Sequence, residues 1–140
     1  MTQIIAKIDK SRYKTILSTE RHDIVGDEPL PYGTDLGPNP YDFLLMSLGS
    51  CTAITLRMYA DKRGWDLQDV EVQLSQERVY HENCENCESQ SGYVHIITKK
   101  IKVNGNLDNA QKSKLLEISE KCPVNKTLLN EIKINTVTIS

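Results

Sequence analysis

The chain has 140 residues, of which 39% are hydrophobic and 26% are charged, a composition typical of a folded globular domain. Its 17 basic and 19 acidic side chains leave a net charge of -2, so bulk charge gives no indication of nucleic acid or an anionic membrane as a partner. The N-terminus lacks the apolar stretch of a signal peptide, and no run approaches the ~20 apolar residues of a membrane span. We therefore expect a single cytoplasmic domain over residues 1–140.

The first part of the chain predicts a small antiparallel meander. Short β-favouring stretches lie around Ile4 to Ile8, Tyr13 to Leu17 and His22 to Val25. A long loop with several glycines and prolines follows, from Gly26 to Pro38.

One long helix is predicted over residues 40–63. Asn39 can cap the free amides of the first turn, Pro40 suits the first helical position, and Gly64 supplies a left-handed stop. About 24 residues at 1.5 Å each give a rod of roughly 36 Å. Its apolar residues leave few polar faces, so we expect most of the helix to be buried. The small residues around Cys51 would let a second helix approach closely.

Two alternating segments, "DVEVQLSQERVYH" and "YVHIITKKIKVNG", predict a hairpin with one covered face. A second helix is expected from the cap at Asp108 to about Lys121, and Pro123 ends it. The following "PVNKTLLNE" can form a short helical turn, and residues 133–140 predict a last strand. Helices placed among antiparallel strands indicate an α+β fold.

The loop between the two hairpin strands, "ENCENCESQSG", contains a Cys-x-x-Cys pair. Cys84 and Cys87, with His81 upstream, could supply three zinc ligands, but a closed structural site needs four. The pair could instead be redox active, although the neighbouring glutamates should disfavour thiolates and raise the pKa of both thiols. The interpretation we favour is a reduced, solvated loop, with a metal second and redox activity third.

The other two cysteines, Cys51 and Cys122, lie at a helix position and at a helix junction. Cys51, taken alone, is more typical of a small core residue than of a nucleophile. Cys122 stands directly before Pro123, where the amides of the next turn could stabilise a thiolate. Two thiols at such positions favour a pair that cycles through a disulfide, but their spacing does not show that they meet.

Three segments, "ERHDIVGDEP", "GPNPYDFLLMSLGSCTAITLRMYADKRGW" and "EKCPVNKTL", resemble the OsmC/Ohr family in the right order. This family comprises osmotically inducible protein C and the organic hydroperoxide resistance proteins, and the chain looks closest to the OsmC-like subgroup. The resemblance implies an OsmC-like fold in which antiparallel sheets wrap around long central helices in an intertwined homodimer.

The resemblance also implies a thiol peroxidase with peroxiredoxin-type chemistry. Cys51 matches the peroxidatic cysteine, Cys122 the resolving cysteine, and Arg21 the arginine that holds the thiolate and orients the peroxide. No bound cofactor is implied. The implied co-substrate is a dithiol or lipoyl-type reductant that reopens the disulfide, and an apolar pocket would favour organic hydroperoxides.

One position departs from the family pattern. Where the peroxidases carry a glutamate that fixes the arginine, this chain has Tyr41, and Asp42 is better explained as a first-turn residue. The alternative function is therefore a binding or sensor protein for a small hydrophobic ligand, with weak or no peroxidase activity.

Overall fold

The computed structural model describes residues 2–139, which form five strands and three α-helices. They divide into an N-terminal compact unit that ends at Met46 and a C-terminal unit that begins at Ser47. Both sheets are antiparallel, and helices follow them in each unit. The prediction of an α+β fold is confirmed.

The N-terminal unit contains a three-stranded meander. Its strands are β1 (Ile5–Ile8), β2 (Thr15–Ser18) and β3 (Asp23–Gly26), in the order β1-β2-β3. Ile16 lies opposite Lys7 on one side and Val25 on the other. The predicted meander is confirmed within a residue or two at each end.

Helix α1 (Pro40–Arg63) begins and ends at the predicted residues. At its start, Asn39 Oδ1 accepts the Asp42 N–H at 2.8 Å and Asp42 Oδ2 accepts the Asn39 N–H at 3.0 Å, which satisfies two backbone donors. At its end, Gly64 has φ +67° and the Trp65 N–H donates to Ala60 O at 3.0 Å. This left-handed cap terminates the helix.

The buried face of α1 is narrower than expected. Leu48, Thr52, Leu56 and Ala60 are its buried residues and recur every fourth position, so they form a single stripe. The prediction that most of the helix is buried is therefore wrong for the single chain. Within residues 2–139, α1 is also long and apolar enough to cross a membrane by length and composition. That is weak evidence, because the core helix of a soluble protein can pass the same test.

The C-terminal unit contains a long hairpin. Strand β4 (Asp66–Tyr80) pairs with β5 (Tyr93–Asn106), from Asp66 opposite Asn106 to Tyr80 opposite Tyr93. A short 3-10 turn, His81–Asn83, opens the loop that joins them.

One of the small residues of α1, Gly49, lies close to this hairpin, and the approach of a second helix stays a prediction. A Cβ atom added to Gly49 would lie 2.7 Å from Leu74 Cδ1. Glycine thus lets α1 approach β4 closely.

Two further helices complete the unit: α2 (Asn109–Ser119) and α3 (Pro123–Leu129). Asp108 and Gln111 form the predicted capping box at the start of α2. The helices and the hairpin enclose the hydrophobic core of this unit, whose buried members are Leu56, Ala60, Leu67, Leu115 and Ile118.

The predicted last strand does not form. Residues 131–139 carry no regular secondary structure, and Ser140 lies outside the described residues. The apolar residues that suggested a strand are exposed, with Ile134 at 84%, Val137 at 82% and Ile139 at 92%. A strand needs a neighbouring strand for its backbone hydrogen bonds, and no paired strand is found for this segment within residues 2–139.

Candidate active site

The structure brings Cys51 and Cys122 together. Cys51 is half-buried at the middle of α1, and Cys122 is fully buried at the residue that precedes α3. Both are free thiols, and backbone N–H groups of two successive residues at the start of α3 contact them, one for each sulfur. Two cysteines far apart in sequence thus form one site inside the C-terminal unit.

The start of α3 supplies backbone donors to both sulfurs. Cys122 Sγ accepts the N–H of Asn125 at 3.3 Å, and Cys51 Sγ accepts the N–H of Val124 at 3.5 Å. Pro123 occupies the first helical position, where its missing N–H leaves no donor unsatisfied. The predicted role of this helix junction in holding a thiol is consistent with these contacts.

Thr52 connects the thiols to a charged group. Its Oγ1 lies 3.5 Å from Cys122 Sγ and 2.8 Å from Leu48 O. A hydroxyl has one proton, so Thr52 donates it either to Leu48 O or to the sulfur. Lys99 Nζ donates to Thr52 Oγ1 at 3.3 Å, so one hydroxyl group connects the ammonium group to Cys122 Sγ.

Lys99 was not among the site residues predicted from the sequence. It lies on β5 in phase with Ile97 and Ile101, all three half-buried, and a second hydrogen bond to Ser119 O at 2.8 Å fixes its ammonium group. The signal was present in the sequence, because a lysine that alternates with apolar residues occupies the covered face of a strand.

The surroundings of Cys122 favour its ionised form. Burial raises the pKa of Cys122, but the contacts from Thr52, from the Asn125 N–H and from the neighbouring Cys51 thiol, with the charge of Lys99, outweigh that effect and lower the pKa below its ordinary value of 9.0.

The two N-terminal positions singled out from the resemblance lie in the other unit. Arg21 is an exposed residue of the turn between β2 and β3, where its backbone N–H donates to Thr19 Oγ1 at 3.2 Å. Tyr41 is exposed in the first turn of α1. Asp42 lies in the first turn of α1, as predicted, and its carboxylate also accepts the Asn39 N–H. The role of Arg21 at the thiols stays a prediction.

A cavity of about 420 Å³ opens beside the thiol site within the C-terminal unit. Lys99 and Asn125, which both contribute to the surroundings of Cys122, line it together with Leu48 of α1. The remaining lining residues are mostly apolar: Cys84, Glu85, Cys87, Val94, His95, Ile96, Ile97, Leu128 and Leu129.

The Cys-x-x-Cys loop differs from the favoured expectation of a reduced, solvated segment. Cys84 and Cys87 form a disulfide whose Cα atoms are 5.7 Å apart. His81 Nδ1 lies 3.2 Å from Gly92 O. Among residues 2–139, no three His, Cys, Asp or Glu side chains are placed to hold a metal ion.

Comparison with known proteins identifies the family. The OsmC-like protein family matches residues 33–137, which is most of the chain, and the chain belongs to that family. No curated protein matches the sequence significantly.

Solved structures have the same fold. An OsmC-like protein from Mycoplasma pneumoniae has a TM-score of 0.73 at 17% identity, over 92% of this chain and 87% of that chain. The organic hydroperoxide resistance protein OsmC of Legionella pneumophila has a TM-score of 0.63 at 16% identity, over 91% of this chain and 90% of that chain. For the organic hydroperoxide resistance protein OhrB of Bacillus subtilis the score is 0.59 at 16% identity, over 91% and 89%.

Proposed function

We propose that this protein is a thiol-dependent peroxidase that reduces organic hydroperoxides through a Cys51 sulfenic acid and a Cys51–Cys122 disulfide. The observation that carries the proposal is the meeting of two free thiols at the start of α3, with a lysine that reaches Cys122 through Thr52. Membership of the OsmC-like family and the names of the Legionella and Bacillus proteins support it.

In the first step, Cys51 reacts because it is the more accessible sulfur. Cys122, whose surroundings favour its thiolate, takes the Cys51 proton as general base, and the Cys51 thiolate attacks the terminal oxygen of the hydroperoxide. The O–O bond breaks, Cys51 becomes a sulfenic acid, and the alkoxide takes that proton back from Cys122 and leaves as an alcohol.

In the second step, Cys122 is the nucleophile. Once it has lost its proton, its thiolate attacks the sulfenic sulfur of Cys51, the S–S bond forms, and the hydroxide leaves as water. Lys99 and Thr52 stabilise the Cys122 thiolate that this step requires. A dithiol or lipoyl-type reductant must then reopen the disulfide.

The substrate class follows from the cavity. Its mostly apolar lining would favour an alkyl or aryl hydroperoxide over hydrogen peroxide, since burial of apolar surface contributes ~25 cal/mol per Å². Arg21 is proposed to orient the peroxide, on the strength of the family resemblance.

We extend the proposal to the assembly. Residues 1–140 act as one OsmC-like domain, in a cytoplasmic homodimer. The family match across residues 33–137 supports the single domain, and the exposed apolar residues of α1 and of the C-terminal segment support a partner chain.

A second candidate is a binding or sensor protein for a small hydrophobic ligand on the same scaffold. Two observations favour it: the apolar cavity and Tyr41 at the position of the family glutamate. In that case the thiols would pack or sense, and peroxide would not be consumed.

Steady-state consumption of cumene hydroperoxide with dihydrolipoamide distinguishes the two functions. The wild type is expected to consume the hydroperoxide, faster than hydrogen peroxide, and Cys51→Ser to lose the activity. Ser50→Ala, a change at the exposed neighbouring residue, serves as the control. If the wild type consumes no more hydroperoxide than Cys51→Ser does, the peroxidase proposal fails and the binding function takes its place.

A further inference from the structure

The Cys84–Cys87 pair faces inwards from an otherwise exposed loop. Between His81 and Gly92, the half-buried residues are His81, Cys84 and Cys87, and the others are exposed. Both cysteines line the cavity that Lys99 also lines. The chain therefore places a second sulfur pair at a cavity whose wall includes Lys99 and Asn125, the residues that contribute to the surroundings of Cys122.

We propose that Cys84 and Cys87 are a second redox pair, which reduces the Cys51–Cys122 disulfide and is itself reopened by the external dithiol. This inference rests on the proposed peroxidase function, because it needs a Cys51–Cys122 disulfide as its substrate. The loop cysteines would then be an electron donor within the chain itself.

The exchange has two steps. The thiolate of one loop cysteine attacks Cys51 Sγ, a mixed disulfide forms, and the Cys51–Cys122 bond breaks with its electron pair on Cys122. The second loop thiol then loses its proton and attacks the mixed disulfide, which forms the Cys84–Cys87 bond and releases Cys51 as a thiol. Two electrons pass from the loop to the buried pair, and the two thiol protons pass to Cys51 and to Cys122 or solvent.

Accessibility sets which sulfur is attacked. Cys122 is fully buried and Cys51 is half-buried, so an incoming thiolate meets Cys51. Cys122 is then the leaving group. A low thiol pKa makes a better leaving group, and the contacts from Thr52, Asn125 and Lys99 stabilise the departing thiolate.

The charges favour transfer in this direction. Lys99 and the donors around Cys122 stabilise the reduced, ionised form of the buried pair. Glu82, Glu85 and Glu88 surround the loop cysteines, and their charges oppose a thiolate there and favour the disulfide.

The loop must move towards Cys51 for the exchange, and the exposure of its residues allows that movement. Its residues are exposed on both sides of each cysteine, and such connections are more mobile than the strands they join. The Cα separation of 5.7 Å between Cys84 and Cys87 lies within the range in which a disulfide closes. An exposed loop is also a site that a bulky external reductant can reach.

The test follows the two disulfides over time. The fully reduced protein receives one equivalent of cumene hydroperoxide, aliquots are quenched with N-ethylmaleimide, and the disulfides are mapped by peptide mass spectrometry. We expect the Cys51–Cys122 disulfide to appear first and to decline as the Cys84–Cys87 disulfide rises. In the Cys84→Ser, Cys87→Ser double variant, the Cys51–Cys122 disulfide should persist.

Two controls make the outcome specific. The double variant Asn83→Ser, Gln90→Ser changes two exposed residues of the same loop and should retain the transfer. In Cys51→Ser, the loop thiols should stay reduced. Oxidation of the loop at the wild-type rate in Cys51→Ser, or a Cys51–Cys122 disulfide that persists in the wild type, would overturn the relay.

Failure of the relay can be distinguished from failure of the peroxidase. In the Cys84→Ser, Cys87→Ser double variant, only the buried pair can form an intramolecular disulfide. If that variant forms the Cys51–Cys122 disulfide and the wild type never transfers it, the relay alone is wrong. If the variant forms no disulfide, the proposed function is wrong and the relay falls with it.

Discussion

At the residue scale, a lysine is the charge that the C-terminal unit supplies to the thiol site. Lys99 reaches Cys122 through Thr52, and its second hydrogen bond to Ser119 O holds it there. Burial alone would raise the pKa of the Cys122 thiol, and the lysine is one of the groups that lower it. Lys99 therefore supplies positive charge near Cys122 whether or not Arg21 also reaches the thiols.

The first prediction concerns this lysine. In Lys99→Met the pKa of Cys122 should rise, because the positive charge is lost while burial remains, and the peroxidase rate at neutral pH should fall severalfold. A pH titration of the thiolate ultraviolet absorbance measures the change, with Cys122→Ser used to assign the signal. Lys100→Met, an exposed neighbour on the same strand, should leave the titration unchanged. An unchanged titration in Lys99→Met would contradict this role.

The two candidate nucleophiles could be predicted from the sequence, whereas the residues that contact them could not. Cys51 and Cys122 could be singled out because thiols are rare and each stood at a helix position with a recognisable pattern. Thr52 and Lys99 could not be assigned to them, because their contacts depend on how α1 and β5 pack. Pairing of distant elements is set by tertiary structure and has no local signature.

At the element scale, the loop between β3 and α1 is organised by a buried carboxylate. Asp27 is 3% exposed. Its two oxygens accept the Thr34 hydroxyl at 2.6 Å and the backbone N–H groups of Glu28, Thr34 and Leu36 at 2.8 to 3.3 Å. Four donors to one carboxylate satisfy a buried charge and fix the loop that leads into the helix.

The second prediction is a pH dependence of stability. Asp27 has its pKa lowered from 3.8 to about 2, chiefly by the Thr34 hydrogen bond and against the effect of burial. A lowered carboxyl pKa stabilises the folded state above the ordinary pKa, and that contribution is lost as the pH falls from about 4 to about 2. Asp27→Asn should therefore lower the thermal midpoint by a few degrees at neutral pH, and the difference from wild type should shrink over that range.

The matched control is Asp35→Asn, an exposed residue of the same loop with φ +54°. Asparagine tolerates this backbone conformation, so the substitution should leave the thermal midpoint unchanged. A deficit in Asp27→Asn that stays constant down to pH 2 would contradict the role of the ionised carboxylate.

The elements that sequence reasoning located well are those with local signals. Helix α1 has a capping residue, a proline and a terminal glycine, and its ends fell where these predict. Residues 133–139 alternate apolar and polar side chains as a strand does, but nothing in the sequence indicates which strand they would pair with. In the single chain they are unpaired. Period-two alternation shows that a segment suits a sheet, whereas strand formation also requires a neighbour.

At the scale of the whole molecule, α1 exposes apolar residues opposite its buried stripe. Ile54 is 55% exposed and Met58 is 62% exposed, and residues four apart lie on the same face of a helix. Exposed apolar faces of this kind often mark protein interfaces. The proposed homodimer would cover this face.

The third prediction tests that interface. Ile54→Lys should weaken a dimer, because it places a charge in an apolar contact, and sedimentation equilibrium should report a lower mass than for the wild type. Leu116→Lys makes a comparable change at an exposed residue of α2 and should leave the mass unchanged. A wild-type protein that sediments as a monomer at all concentrations would contradict the homodimer.

The measurement that tests the central claim most directly is disulfide mapping in the Cys84→Ser, Cys87→Ser variant. The reduced variant receives one equivalent of cumene hydroperoxide, and the remaining thiols and the bonded peptides are identified by mass spectrometry. We expect rapid loss of both thiols and a Cys51–Cys122 bond. Survival of both thiols would contradict it and would direct attention to a hydrophobic ligand in the cavity.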